Sequence, residues 1–354
     1  MRRGWAALLV LGLFMPAVAD AEGLTTTPHL RTTALYEDDR TGSDDRNAFT
    51  LARSEFGATW SDAGWKATAI GEWVRSAAPG SLMGVAGNSY ILRPREVALG
   101  VTERYADDWQ VTATGGLLLR DSTRLHAGDP LTYIEGNPAQ RFMGDDAADL
   151  GAELRVGWAG LAEATVAVHN GEGSLDVERN AGKNLTAALA LTPGGTEGFW
   201  GLVPRLEGYR EQGTLGAGEQ EVTRTEGLFA LEHGLGQLRV RYGVGQGSVA
   251  RADLSSSWLR TTVESAPIFH GVSILALHEQ QAPDDEVDGA ITRAGGGVRW
   301  QGERGLLLPT LTLWFEQLSS DEAAASVPGA GSATEGSRLQ LALTLRDRGT
   351  GAQP

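Results

Sequence analysis

The sequence of 354 residues contains no cysteine. Disulfide bonds, thiolate metal ligands, covalently attached c-type haem and cysteine nucleophiles are therefore excluded. After residue 21, the chain also lacks an apolar run long enough to cross a bilayer as a helix. Basic residues are scarce, with 30 Lys and Arg against 45 Asp and Glu, and the net charge of −15 argues against a nucleic-acid partner.

The first 21 residues have the three parts of a secretory signal peptide. Arg2 and Arg3 supply positive charge, residues 5–18 are apolar, and residues 19–21 have the small–x–small pattern of a cleavage site. We therefore expect residues 1–21 to be removed during export. No linker or shift in composition divides residues 22–354, so we expect them to form one domain.

The remaining chain is built from short segments in which apolar and polar residues alternate. In one of them, Leu150, Leu154 and Trp158 share one parity, and Glu153 and Arg155 share the other. Such segments, with one face for hydrocarbon and one for water, predict membrane-spanning β-strands. About 16 segments fit this pattern: 29–37, 48–61, 64–75, 90–104, 108–120, 149–158, 161–170, 184–192, 198–210, 222–233, 236–246, 255–265, 269–280, 289–301, 305–317 and 337–346.

The connections between these segments alternate between short turns and long polar loops. Outer-membrane barrels place short turns in the periplasm and long loops outside the cell. Six tryptophans lie near predicted short turns, as expected of an aromatic girdle at headgroup depth: Trp60, Trp65, Trp109, Trp158, Trp200 and Trp300. The sequence therefore predicts an all-β fold, a transmembrane antiparallel up-and-down β-barrel of about 16 strands.

The inward parity carries charges of both signs, which indicates a water-filled lumen. Arginine suits contact with anionic solutes because its forked donors match carboxylate and phosphate. The alternative is that each arginine pairs with a carboxylate on a neighbouring strand. The candidate pore-lining and selectivity residues are Arg53, Arg120, Arg124, Arg141, Arg155, Arg239, Arg241 and Arg293.

The longest connection, residues 121–148, is a candidate constriction loop. It contains Arg124 and Arg141, together with apolar residues such as Tyr133 and Phe142 that would anchor it. Long ordered loops are commonly functional. Folded into the barrel, the loop would narrow the channel; the alternative is a cap on the surface.

Catalytic and metal-binding patterns are absent from the sequence. The six histidines form neither a His-Glu-x-x-His motif nor part of a Gly-x-Ser-x-Gly elbow. Acidic clusters in the long loops do not have the spacing of an EF-hand. We therefore expect no enzyme activity, metal or cofactor, while a barrel hydrolase and a scaffold barrel for a partner protein remain alternatives.

Three short motifs resemble the phosphate-selective porin O and P family. Asp149-Leu150-Gly151 stands at one strand start, residues 168–173 (Val-His-Asn-Gly-Glu-Gly) at the end of the next strand, and Asn184-Leu185-Thr186-Ala187 opens the following one. The segment 49–53, with Gly57 after it, is also similar to an early strand of that family. The resemblance implies a 16-stranded homotrimeric porin with a constricted, anion-attracting channel.

These observations predict a porin in the outer membrane of a Gram-negative bacterium. It would contact membrane lipid and lipopolysaccharide, and would let small hydrophilic solutes, anions among them, diffuse passively.

Overall fold

The structure is a computed structural model in which β-strands dominate. It describes residues 24–40, 46–62, 64–76, 89–105, 108–120, 148–171, 182–195, 198–215, 220–247, 254–284, 287, 289–302, 307–321 and 336–347. The strands are β1 Thr25–Asp39, β2 Arg46–Asp62, β3 Trp65–Ser76, β4 Ser89–Tyr105, β5 Trp109–Leu119, β6 Ala148–Trp158, β7 Ala162–His169, β8 Asn184–Leu191, β9 Val203–Leu215, β10 Gln220–His233, β11 Gly236–Gln246, β12 Ser255–Ser265, β13 Val272–Ala282, β14 Ile291–Gln301, β15 Leu307–Ser320 and β16 Gly336–Asp347.

The strands form one closed antiparallel barrel. Each strand pairs with its neighbours in the sequence, and β1 pairs with β16. At this closure Thr33 lies opposite Thr344, and their hydroxyl oxygens are 3.0 Å apart. Closure gives every strand two partners, so the ladder has no unpaired edge. The predicted fold class and strand number are confirmed.

Short turns and long connections lie at opposite ends of the barrel. Thr25, the first residue of β1, pairs with Ser61 beside the turn that joins β2 and β3. Asp347, the last residue of β16, pairs with Leu307, the first residue of β15. The N-terminal end of β1 and the C-terminal end of β16 therefore both lie at the short-turn end of the barrel.

Most strand limits agree with the prediction, but three predicted strand starts were wrong, and β1 begins at Thr25 instead of residue 29. β9 begins at Val203 instead of residue 198, and β13 begins at Val272 instead of residue 269. Before β9 and β13 the preceding residues form a separate tight turn. The N–H of Phe199 donates to the carbonyl of Leu202 at 2.8 Å, and the reverse bond is 2.9 Å. This small loop closes before the barrel ladder starts.

The tryptophans predicted to form a girdle lie near the short turns. Trp65, Trp109, Trp158 and Trp300 are exposed on the outer surface. The rings of Trp109 and Trp158 stack across β5 and β6, with centroids 6.1 Å apart. An outward position at the turn end is where a headgroup-level girdle would lie.

No helix in the described part of the chain is long and apolar enough to span a membrane. The predicted signal peptide, residues 1–21, and most of the candidate constriction loop, residues 121–147, lie outside the described residues.

Candidate pore lining

The two faces of the barrel wall have opposite character. On β6, Leu150 and Leu154 are about half exposed on the outside, whereas Asp149 and Glu153 point inward and are buried. The same alternation holds on β15, where Leu313 is exposed and its successor Trp314 is buried. An apolar exterior around a charged interior reverses the arrangement of a water-soluble protein.

A buried ionic cluster joins four strands and the end of β5 near the long connections. Arg120 Nη2 lies 2.7 Å from Asp149 Oδ2, and its Nη1 lies 3.0 Å from Glu211 Oε1. Asn184 Nδ2 donates to the same Glu211 oxygen at 2.8 Å. Arg224 Nη1 is 3.8 Å from the other Glu211 oxygen. Burial of all five side chains makes each charge dependent on its partners.

This cluster gives the family-like motifs a structural role. Asp149 accepts the backbone N–H of Gly171 at 2.7 Å and of Leu150 at 2.8 Å. Gly151 has no room for a side chain, since a Cβ would lie 2.9 Å from His169 Nδ1 and closer still to Val168 O. The aspartate, the glycines and Asn184 therefore fix the long-loop ends of β6, β7 and β8.

A second group of ion pairs lies on β1 to β4. Glu55 Oε2 lies 3.1 Å from His29 Nε2, and Glu55 also forms an ion pair with Arg95. Next to it, Arg93 Nε donates to Glu72 at 2.6 Å. Both carboxylates are buried, so these pairs form part of the wall.

A charged row crosses β11 to β14. Arg241 lies directly opposite Arg260, Arg260 opposite Glu279, and Glu279 opposite Arg293. Arg260 Nη1 is 2.7 Å from Glu279 Oε2. The row has three arginines and one glutamate, and all four side chains are buried.

Two tryptophans face inward among these charges, which sequence reasoning missed. Trp258 and Trp314 are almost completely buried, and Trp314 packs with Leu275 and Leu277. Its indole N–H donates to Glu316 at 3.3 Å. Glycines on the neighbouring strands could have predicted these inward rings, because they leave space where the rings lie. Gly243 lies beside Trp258, and Gly295 and Gly297 lie beside Trp314.

Arginines nearer the short-turn end are more accessible. Side-chain exposure is 33% for Arg155 and Arg205, 23% for Arg299 and 14% for Arg239. Each has a carboxylate partner: Arg155 with Glu153 and Glu163, Arg205 with Glu207, Arg239 with Glu232, and Arg299 with Glu264. The positive charges of Arg239 and Arg346 act electrostatically on the guanidinium of Arg299. We call Arg155, Arg205, Arg239, Arg299 and Arg346 the vestibule arginines.

The predicted selectivity residues thus fall into three groups. Arg120, Arg241 and Arg293 are buried in the wall, whereas Arg155 and Arg239 belong to the vestibule arginines. The backbone of Arg53 pairs with Thr33 and Val74, but its side chain lies outside the described residues. Arg124 and Arg141 also lie outside them, so the inward folding of their loop stays a prediction.

The described histidines occupy varied positions. His169 is buried beside the ionic cluster, His278 is exposed on the outer face, and His233 and His270 lie at short turns. Within the described part of the chain, no group of three or more His, Cys, Asp and Glu side chains is placed to hold a metal ion.

Comparison with known proteins identifies the architecture. No family model and no curated protein sequence matches the chain. Among solved structures, an anion-selective porin from Comamonas acidovorans is 14% identical, with a TM-score of 0.59 over 92% of this chain and 98% of that one. OmpT, an outer-membrane protein of Vibrio cholerae, is 13% identical, with a TM-score of 0.58 over 93% and 98%. The outer-membrane protein OpdK from Pseudomonas aeruginosa is 9% identical, with a TM-score of 0.51 over 91% and 98%. At these identities the likeness establishes the fold, that of porin-like outer-membrane barrels.

Proposed function

We propose that this protein is an outer-membrane porin through which small hydrophilic solutes, anions included, diffuse passively. The observation that carries the proposal is the closed barrel of 16 strands with charges inside and apolar residues outside. A bilayer supplies the environment that the exterior requires. Passage of solutes needs wall charges and a water path, and no chemical step.

The proposed location is the outer membrane of a Gram-negative bacterium, with short turns in the periplasm and long loops outside. Cysteine labelling tests this orientation without background, because the chain has no cysteine. Asp44→Cys should react with an impermeant maleimide on intact cells, and Asp62→Cys should react only after the cells are opened. Labelling of Asp62→Cys alone would show the reverse orientation.

Accessible arginines support anions as one solute class. The buried arginines are held by the wall, whereas the side chains of the vestibule arginines are partly exposed, which supports contact with a passing ion. Their forked donors match the geometry of carboxylate and phosphate. The names of two structural neighbours also refer to anions: one is an anion-selective porin, and the other is OpdK with vanillate.

Reversal potentials test which arginines set selectivity. Arg239→Gln with Arg299→Gln should move the reversal potential in a KCl gradient toward cation preference. Arg210→Gln is the matched control, since Arg210 is exposed on the outer face of β9. If the reversal potential is unchanged in Arg239→Gln plus Arg299→Gln but shifts in Arg124→Ala plus Arg141→Ala, the residues that set selectivity lie in the candidate constriction loop.

The proposed assembly partners are membrane lipid, lipopolysaccharide and two further copies of the chain. The family resemblance implies a homotrimer, and one solved neighbour is a trimer form of OmpT. Unheated gel migration and analytical ultracentrifugation in detergent test the trimer. A sedimenting monomer at all concentrations would contradict it. A barrel hydrolase, the alternative function, would require a silent channel together with ester or peptide hydrolysis by the purified protein.

A further inference from the structure

Three short turns share one sequence pattern and one backbone shape. Each has an aromatic residue, any residue, glycine and an aliphatic residue: Trp158-Ala159-Gly160-Leu161, Phe199-Trp200-Gly201-Leu202 and Phe269-His270-Gly271-Val272. Both central residues have positive φ in every case, 51° and 67°, 52° and 78°, 46° and 80°. Positive φ at both central positions defines the tight hairpin turn that Asn-Gly or Asp-Gly fits best.

The second of these turns carries its aromatic side chain at a strained position. Trp200 has φ of 52° and its side chain is 97% exposed. A large residue without a local hydrogen bond is unfavourable there, whereas asparagine would be relaxed. Strain held at an exposed position points to a role for the indole itself.

Apolar side chains continue along the rim from this turn. Phe199 is 53% exposed, Leu235 78%, Ile268 66% and Phe269 70%. We call these four residues and Trp200 the apolar rim. Hydrogen bonds join neighbouring turns, from Thr192 N to Leu161 O and from Ala266 N to Leu235 O, both 2.8 Å. The turns at residues 62–63, 106–107 and 303–304 are instead polar in sequence.

Two of the strands that follow these turns, β9 and β13, have a short apolar exterior. On β13 the outward face becomes polar at His278. Only three outward residues, Val272, Ile274 and Ala276, lie between His278 and the short turn. Six residues of a strand tilted by about 40° span about 15 Å of height, against an apolar band about 25 Å tall in outer-membrane barrels. On β9 the exposed Arg210 sets a similar limit. On these two strands the apolar rim would supply the part of the apolar band that the strand exterior lacks.

We propose that the lipid leaflet on the short-turn side covers the apolar rim, so that this side of the barrel sits deeper in the bilayer than the opposite side. The rim is continuous with the outer surface through Leu206, Phe229 and Ile274, all exposed. Aromatic and aliphatic side chains with this exposure fit the boundary between headgroups and acyl chains. The inference rests on the proposed function only in requiring that a bilayer surrounds the barrel.

Single cysteines carrying a nitrobenzoxadiazole probe test the proposal in phosphatidylcholine vesicles. Trp200→Cys and Phe269→Cys report on the rim, Asp62→Cys is the control turn, and Leu313→Cys reports on the membrane band. Folding of each variant is checked by heat-modifiable gel migration. Nitroxide lipids labelled near the headgroup should quench positions 200 and 269 several-fold more than position 62, and aqueous iodide should quench position 62 most.

Equal aqueous quenching at positions 62, 200 and 269, together with lipid quenching at position 313, would overturn the inference. The proposed membrane location of the barrel would still stand. Lipid quenching absent at all four positions would instead overturn the proposed membrane location. Shielding of positions 200 and 269 that vanishes when protein is diluted in lipid would show that a second copy covers the rim, and would also overturn the inference.

Discussion

Neutralising Glu211 should destabilise the barrel more than any comparable change in an exposed carboxylate. Glu211 is buried and lies 3.0 Å from Arg120, 3.8 Å from Arg224 and 2.8 Å from the amide of Asn184. Glu211→Gln keeps the size and shape of the side chain but removes its charge. Arg120 then retains Asp149, whereas Arg224 loses the carboxylate opposite it in the strand register.

The expected magnitude follows from these distances. At an effective dielectric constant of about 20, the attractions to Arg120 and Arg224 are roughly 5 and 4 kcal/mol. Part of this is returned because the variant no longer buries a carboxylate. Removing one partner from a buried ion pair costs about 3–5 kcal/mol net, which is the loss we expect in the free energy of unfolding.

Denaturant unfolding of the refolded protein in lipid vesicles, followed by tryptophan fluorescence, measures this loss. Glu163→Gln is the matched control, since Glu163 is 43% exposed and 3.4 Å from Arg155 Nε. An exposed pair contributes about 1 kcal/mol or less. Equal unfolding free energies for Glu211→Gln and Glu163→Gln would refute the view that the buried cluster holds the wall together.

Two further predictions concern the faces of the wall. Leu343 is exposed outward and Thr344 bonds Thr33 inside, so Leu343→Arg should lower refolding yield far more than Thr344→Arg. Charge at mid-membrane costs roughly 2–4 kcal/mol, and equal yields would contradict the assigned faces. Gly295→Ala should lower stability by roughly 1–3 kcal/mol, because its Cβ would overlap the Trp314 ring and lie 2.9 Å from Phe315 O. The control Gly296→Ala, whose Cβ would be 3.8 Å from the nearest atom, should be tolerated in the same unfolding assay.

The strand pattern could be predicted because lipid imposes a strict alternation on the sequence. On β6 every second residue from Leu150 to Trp158 is apolar, and the structure exposes Leu150, Leu154 and Trp158. Alternation also predicts which charges face inward, since a charge in contact with the hydrocarbon of the membrane is costly.

The contacts among inward residues could not be predicted, because closure of the barrel decides them. Arg120 and Glu211 are separated by 91 positions in the sequence, yet they form one ion pair. Local alternation cannot distinguish a guanidinium buried in such a pair from one open to solutes. Trp258 was missed for a related reason, since the glycine that admits its ring, Gly243, lies on the neighbouring strand.

The limits of β9 and β13 were missed because aromatic residues are typical of strands. Phe199 and Phe269 continue the apolar pattern into the turns. Only the following glycines, Gly201 and Gly271, mark the tight turns, and both have positive φ.

Conductance of the purified protein in a planar lipid bilayer tests the central claim most directly. A water path through this charged barrel predicts discrete current steps in KCl, and a reversal potential that shifts toward cations in Arg239→Gln plus Arg299→Gln. A correctly folded, membrane-inserted barrel that carries no current under any salt or voltage would contradict the porin function.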